Sequence, residues 1–146
     1  MIKIKEKIVF ALEAIIIPLA IGGVIYYILC PEVYFVKIID FYTGINMHVH
    51  FNIQKHMIIR MIRNYLLDYL WAFAFTNALF LTFKNDTNAL PICCLVSIFV
   101  GLILEMTQLF GIVYGTFDIL DLITEILAAI SAIIIITIRR KRNEKN

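Results

Sequence analysis

Long apolar segments constrain the fold of this chain more than any other feature. A helix needs about 20 mostly apolar residues to cross the hydrocarbon core of a bilayer. Four such segments occur, at about residues 8–30, 64–83, 89–110 and 119–138. Hydrophobic residues make up 62% of the chain and charged residues 16%, which leaves too few polar side chains to cover a soluble surface. The sequence therefore predicts an all-α polytopic membrane protein, a four-transmembrane-helix bundle that forms a single membrane domain over residues 1–146.

The segment between the first two predicted spans, residues 31–63, has a mixed composition. It is too polar to cross a bilayer and too apolar to be a free linker. Pro31 ends the first span, because proline cannot continue a helix. Ile38, Ile39, Phe41 and Tyr42 are typical of a helix that lies along the membrane surface. We therefore predict an interfacial segment between the first and second transmembrane helices.

Polar side chains within the spans indicate where a functional site would lie. A charged residue at the centre of a membrane helix costs about 2.5–3.5 kcal/mol to insert, so it usually faces a partner or a wet cavity. Glu105 and Gln108 are three residues apart and share a face of the third span. Asp118, Asp121 and Glu125 share a face of the fourth span, in the same way.

A loop of fewer than ten residues joins the third and fourth spans, so these two helices are expected to be antiparallel neighbours. Asp68 lies one turn into the second span at the same level, and Arg63 precedes it by five residues. We therefore predict one polar, ligand-binding pocket lined by Glu105, Gln108, Asp118, Asp121, Asp68 and Arg63. Several carboxylates side by side need a bound cation, protonation or a basic partner such as Arg63.

A structural alternative explains part of this pattern. Asp118 could be the N-cap of the fourth helix, with Asp121 as a first-turn acid favoured by the helix dipole. The alternative leaves Glu105 and Gln108 unexplained, because they precede a helix C-terminus, where negative charge is unfavourable. No nucleophile elbow, phosphate-binding loop or HExxH motif is present, so catalytic residues stay unassigned. Carboxylates without a clear ligand geometry assign no metal and no cofactor.

The remaining histidine, aromatic and charged side chains do not indicate a binding site. His48, His50 and His56 lack a third metal ligand at a recognisable spacing, so we interpret them as solvated loop residues. Trp71, Tyr65 and Tyr69 are typical of an interfacial aromatic belt. Glu13, one to two turns into the first span, is expected to pair across the bundle. The basic residues 139–142 follow a span and are typical of a topology anchor held by anionic lipid, not of a nucleic-acid site.

The stretch EMTQLFGIVYGTFDILDLITEILAAISA, residues 105–132, resembles the VanZ-like family of small membrane proteins, named for one associated with resistance to a glycopeptide antibiotic. The family pattern is E-x-x-Q, a short loop with an arginine, then D-x-x-D followed by an asparagine. Glu105 and Gln108 match the first pair, and Asp118 and Asp121 match the second. Upstream, Arg63, Asp68 and the NALF of residues 77–80 resemble the earlier part. Gly115 replaces the arginine, Glu125 the asparagine and Ala128 a glycine.

The resemblance implies a multi-helix membrane fold and a polar site, but no particular reaction. We expect a VanZ-like protein that acts at the outer face of a bacterial cytoplasmic membrane. Its partners would be membrane lipids and an envelope or lipid-linked component bound through the acidic pocket. One alternative is a membrane-embedded enzyme acting on a lipid or cell-wall precursor, with Glu105 or Asp118 as general acid or base and a metal between carboxylates. Another is a non-catalytic accessory subunit.

The distribution of basic residues predicts the orientation of the chain. In a four-span topology, both termini and the turn at 84–88 share one side, which holds nine of the 13 basic residues. They are Lys3, Lys5, Lys7, Lys84, Arg139, Arg140, Lys141, Arg142 and Lys145. The other side holds Lys37, Lys55, Arg60 and Arg63. The first span is too long for the apolar core of a signal peptide, about 7–15 residues, so we expect it to be retained. Both termini are then cytoplasmic.

The orientation gives a direct labelling prediction. A cysteine introduced into the loop at 111–118 should react with a membrane-impermeant thiol reagent added to intact cells, because this loop lies outside in the predicted topology. Mass-shift labelling measures the reaction. Labelling that occurs only after the cells are lysed would show that the loop is cytoplasmic and that the predicted orientation is wrong.

Overall fold

The computed structural model describes residues 4–45, 47–48, 57–83, 86–113 and 116–143, which form helices and no strand. Helices α1 (Ile4–Ala11) and α2 (Ile17–Leu29) are joined by a π turn, Leu12–Ile16. Helix α3 is Tyr34–Thr43. Helices α4 (Met57–Met61) and α5 (Leu67–Thr82) are joined by a second π turn, Ile62–Leu66. After a 3-10 turn, Thr87–Ala89, follow α6 (Leu90–Leu109) and α7 (Ile119–Asn143). The all-α prediction is confirmed for these residues.

Three helical segments of the described chain are long and apolar enough to cross a membrane: Lys5–Leu29, Leu90–Leu109 and Ile119–Arg142. They correspond to the first, third and fourth predicted spans and indicate an integral membrane protein. The second predicted span, residues 64–83, lies within the composite helix α4–α5, which begins earlier, at Met57. This helix is not among the three, so the four-span bundle is not confirmed by length and apolar composition.

Helix α5 is the central helix of the bundle, which explains its lower hydropathy. It packs against α2, α6 and α7, and no side chain from Ile62 to Leu81 is exposed. By contrast, α6 exposes Leu95 and Phe99. Exposed large apolar side chains suit lipid rather than water. A helix covered by its neighbours needs no lipid-compatible face, so α5 can carry Asp68 and Asn77 within an otherwise apolar sequence.

Small side chains let the central helices approach closely. The buried positions include Ala72 and Ala74 of α5, Gly101 of α6, and Ala128 and Ala132 of α7. Small residues at helix contacts are typical of membrane bundles, where van der Waals contact and hydrogen bonds drive association. The bundle core is therefore built from close backbone contact and a few polar pairs.

Two tyrosines supply polar contacts between helices. The Tyr69 hydroxyl lies 2.7 Å from Ser131 Oγ of α7, and the Tyr65 hydroxyl donates to Asp118 Oδ2 at 3.3 Å. Both hydroxyls thus find hydrogen-bond partners within the bundle, and the interfacial belt stays a prediction. Helices α5 and α6 are joined similarly, since Thr76 Oγ1 donates to Ser97 Oγ at 2.9 Å.

The first helix is tied to the last by a charged pair. Arg139 Nη1 donates to Glu13 Oε2 at 2.7 Å, and the Arg139 guanidinium carbon lies 5.4 Å from the centre of the Phe10 ring. Glu13 belongs to the π turn that precedes Pro18, a residue without a backbone N–H to donate. In this turn the Ile17 N–H bonds to the Leu12 carbonyl, five residues back. The expected pairing of Glu13 across the bundle is confirmed.

Helix α3 is held against the end of α2 by a cluster of Tyr27, Asp40 and His48, which we call the clasp. The Tyr27 hydroxyl donates to Asp40 Oδ1 at 2.6 Å and also lies 2.8 Å from the Ile45 carbonyl. His48 Nε2 lies 2.6 Å from Asp40 Oδ2, and its Nδ1 lies 3.1 Å from the Tyr27 carbonyl. Both ring nitrogens face acceptors, an arrangement that suits the doubly protonated imidazolium.

The solvated-loop interpretation is wrong for His48, whose side chain is 6% exposed. Its hydrogen-bond partners, Tyr27 and Asp40, are distant from it in sequence, so no local motif predicts the contact. His50 and His56 lie outside the described residues.

The clasp should make stability depend on pH. The hydrogen bond from Tyr27, followed by that from His48, lowers the pKa of Asp40, and the hydrogen bond to Asp40 raises the pKa of His48. The contribution of His48 is complete below about pH 6.5 and is lost as pH rises through its raised pKa. That of Asp40 is complete above about pH 3.9 and is lost as pH falls through its lowered pKa.

We therefore expect the clasp to stabilise the fold most between about pH 4 and 6.5. The difference in melting temperature between the wild type and His48→Gln should be largest in that range and shrink above neutral pH. Thermal unfolding in non-ionic detergent from pH 5 to 9 measures it. A difference that does not change with pH would show that His48 is not charged in the folded protein.

Candidate ligand pocket

A cavity of about 680 Å³ lies between α2, the composite helix α4–α5 and the end of the bundle where α6 stops and α7 starts. Its α2 wall is mainly apolar and is formed by Pro18, Leu19, Gly22, Gly23, Tyr26 and Cys30. The facing wall comes from the second π turn and α5, with Arg63, Asn64, Leu67, Asp68, Leu70 and Trp71. Gln108, Thr116 and Asp121 close the end. An apolar surface thus faces a charged one.

The predicted site residues divide into two groups. Arg63, Asp68, Gln108 and Asp121 line the cavity. Glu105 is 3% exposed and is not one of the lining residues, and neither is Asp118. Whether the lining group binds a ligand stays a prediction.

The second π turn aligns Arg63 with Asp68. In a regular α-helix, side chains five residues apart point about 140° away from each other, because each residue turns the helix by about 100°. Arg63 lies inside the π turn, where each residue turns the helix by less than in an α-helix, so the angle between Arg63 and Asp68 is smaller than in a regular helix. Both side chains line the same pocket wall.

Asp118 starts α7, and each of its polar groups is used in that role. Its Oδ1 accepts the Leu120 N–H at 2.9 Å, as an N-cap does. Its own N–H donates to Glu105 Oε2 at 3.0 Å, and its Oδ2 accepts the Tyr65 hydroxyl. Asp118 therefore joins α6, α7 and the second π turn. The N-cap alternative is correct for Asp118, and Glu105 has a structural partner of its own.

Glu125 is a buried acid next to the cavity. It is 4% exposed, and its Oε2 has no hydrogen-bond partner among the described residues. Its carboxylate fills the space left by the missing side chain of Gly101, where an added Cβ would collide with it. Asp68, Glu105 and Asp121 lie close enough to act on its charge. Asp121 Oδ1 is also buried, without a hydrogen-bond partner in the part of the chain that the structure describes.

Arg63 does not neutralise these acids by direct pairing. Its Nε donates to Asn64 Oδ1 at 3.1 Å, and it forms no ion pair with a carboxylate that the structure describes. No group of three or more His, Cys, Asp or Glu residues in the described ranges could hold a metal ion. Gly115, which stands where the resemblance has arginine, lies outside those ranges.

Sequence reasoning missed several residues of the cavity. Trp71 was assigned to an aromatic belt, but it lines the cavity, as do Tyr26 and Asn64. Pro18 also lines the cavity, two residues after the end of the first π turn. A proline followed within a turn by Gly22–Gly23 was the one local signal of space at this point.

No protein-family model, no curated protein and no solved structure matches this chain.

The contact between Gly101 and Glu125 predicts a sharp effect of a small substitution. Gly101→Ala should lower the melting temperature, since the new methyl group forces the buried Glu125 carboxylate to move, and overpacking of this kind costs about 1–3 kcal/mol. Adding Glu125→Ala should recover part of the loss. Thermal unfolding in detergent measures both variants.

Gly23→Ala is the matched control, because a Cβ at Gly23 would meet no atom within 4 Å. Its melting temperature should stay close to that of the wild type. Equal effects of Gly101→Ala and Gly23→Ala would contradict the close contact.

Proposed function

We propose that this chain is a VanZ-like multi-pass protein of the bacterial cytoplasmic membrane that binds an amphiphilic envelope component, such as a lipid-linked precursor, at the outer face. The cavity between α2 and α5 carries the proposal. Its apolar wall of Pro18, Leu19 and Gly22 suits an acyl or isoprenoid chain, and its opposite wall offers Arg63 and Asp68 to a polar head group.

The size and position of the cavity support this function. Its volume of about 680 Å³ lies within the roughly 300–1,000 Å³ of typical small-molecule pockets. The α2 wall is open to the surroundings, since Gly23 is exposed and has free space beside it. Leu19 and Val24 on the same helix are 47% and 59% exposed. A ligand with an apolar tail could therefore enter sideways from the lipid.

The proposed topology has four spans, with the composite helix α4–α5 as the second. It runs from Met57 to Thr82, about 39 Å at 1.5 Å per residue, against a hydrocarbon core of about 30 Å. Its enclosure by the other helices supports a crossing despite its polar residues. Both termini would be cytoplasmic and the cavity would open outside. Of the basic residues behind this orientation, Lys3, Lys55, Lys84 and Lys145 lie outside the described residues.

In this topology α3 lies at the outer membrane surface. It exposes Tyr34, Phe35, Phe41 and Tyr42, each at least 63% exposed, and these aromatic side chains suit the head-group region. The clasp fixes α3 to the end of α2, next to Tyr26 and Cys30 of the cavity.

The enzymatic alternative has less support from the geometry. It requires Glu105 or Asp118 as a general acid or base, but these two side chains are hydrogen-bonded within the fold. Neither of them lines the cavity. Their arrangement favours a structural role for both carboxylates and leaves ligand binding to the residues of the cavity wall.

The single tryptophan of the chain tests the proposal. Trp71 lines the cavity on a helix enclosed by others, so lipids with brominated acyl chains in mixed micelles should quench its fluorescence by entering the cavity. Gly22→Phe should remove most of this quenching, since it fills the cavity from the α2 wall.

Leu95→Phe is the control, because it adds a ring on the exposed face of α6, at a residue that does not line the cavity. Its quenching should match that of the wild type. Unchanged quenching in Gly22→Phe would show that no amphiphile occupies the cavity.

A further inference from the structure

We propose that the cavity selects a zwitterionic lipid head group, with an ammonium and a phosphate separated as in phosphoethanolamine. This inference rests on the proposed binding of an amphiphile and specifies its chemistry. The two charges of such a head group are joined by a short linker. Arg63 and Asp68 line the same wall of the cavity, one within the second π turn and the other at the start of α5.

Arg63 is the phosphate-binding group of this arrangement. Its Nε donates to Asn64 Oδ1, which holds the side chain, and it has no ion pair with a described carboxylate. The guanidinium presents five N–H donors in a planar fork that matches phosphate oxygens. Its remaining donors can therefore bind a phosphate without breaking an existing ion pair.

The ammonium group faces the opposite charge. Asp68 of α5 and Asp121 of α7 line the cavity from two different helices, and no described residue forms a hydrogen bond with the buried Asp121 Oδ1. A primary ammonium supplies three donors in different directions, so it can serve acceptors that come from separate helices.

Simpler ligands satisfy this site less well. An anionic head group would place its charge beside Asp68 and Asp121, where like charges repel. A purely cationic one would leave Arg63 desolvated and without a counter-charge. A metal ion has no group of three candidate ligands among the described residues. A head group that carries both charges is complementary to Arg63 and to the two aspartates together.

The test compares head groups on one brominated acyl chain set. Trp71 quenching is titrated in non-ionic detergent with brominated phosphatidylethanolamine, phosphatidylglycerol and diacylglycerol. In the wild type, phosphatidylethanolamine should half-saturate the quenching at a concentration about tenfold lower than phosphatidylglycerol, a difference of about 1.4 kcal/mol. Equal half-saturation by the two phospholipids overturns the head-group inference and leaves amphiphile binding intact. Quenching by none of the three lipids overturns the proposed function as well.

Variants assign the two charges. Asp121→Asn should abolish the preference for phosphatidylethanolamine over phosphatidylglycerol, whereas Arg63→Gln should weaken both phospholipids relative to diacylglycerol. Asp68→Asn, on a different helix, repeats the first test if Asp121→Asn does not fold. Glu6→Gln is the matched control, since Glu6 is an exposed carboxylate that does not line the cavity. A preference retained in both aspartate variants overturns the assignment.

A competition experiment identifies the source of the head group. Soluble phosphoethanolamine, at the concentration where the lipid saturates, should not reverse the quenching, because it lacks the chain that the α2 wall binds. Complete reversal would show that a free phosphoethanolamine, and not a lipid, is the ligand.

Discussion

The bundle depends on keeping a polar helix out of contact with hydrocarbon. Helix α5 carries Asp68, Thr76 and Asn77, and an unsatisfied polar group in lipid costs several kcal/mol. Helices α2, α6 and α7 surround it and present their large apolar side chains outward. Small residues at the contacts bring the helices close. The cavity lies where the packing surface of α2 consists of Pro18, Gly22 and Gly23.

The acidic end of the bundle shows how the fold and the candidate site share residues. Glu105 binds the N–H of Asp118, and Asp118 caps α7. The same capped start sets the positions of Asp121 and Glu125 in the next two turns of α7. The carboxylates that build the helix junction thus place those that face, or lie behind, the cavity. The structural interpretation is correct for Asp118, and ligand binding stays a prediction for the residues that line the cavity.

Helical irregularities occur where the helices face the cavity. The first π turn precedes Pro18, and the second contains Arg63 and Asn64. Both proline and the π turn change which side chains share a face, so a composite helix can present residues that a regular one would separate. The clasp adds α3 to the end of the molecule where α2 lines the cavity, because Tyr27 in the last turn of α2 binds Asp40 of α3.

Local properties made much of the fold predictable from the sequence. Hydropathy predicted three spans close to the observed segments, at 5–29, 90–109 and 119–142, because the requirement of lipid for apolar side chains acts on each segment alone. The N-cap at Asp118 was predictable for the same reason, since capping involves only its own helix start. The predicted second span is less apolar than the other three because it carries polar residues such as Asp68 and Asn77, which the neighbouring helices enclose.

The sequence by itself determined an all-helical, membrane-embedded chain with acids at one end of its helices. Only the tertiary structure decided which acids face the cavity, that Arg63 and Asp68 share a wall, and that His48 binds Asp40. Those outcomes depend on a π turn and on contacts between segments distant along the chain. Periodicity assumes a regular helix and describes one segment at a time. It therefore cannot specify what packing between helices places on each face.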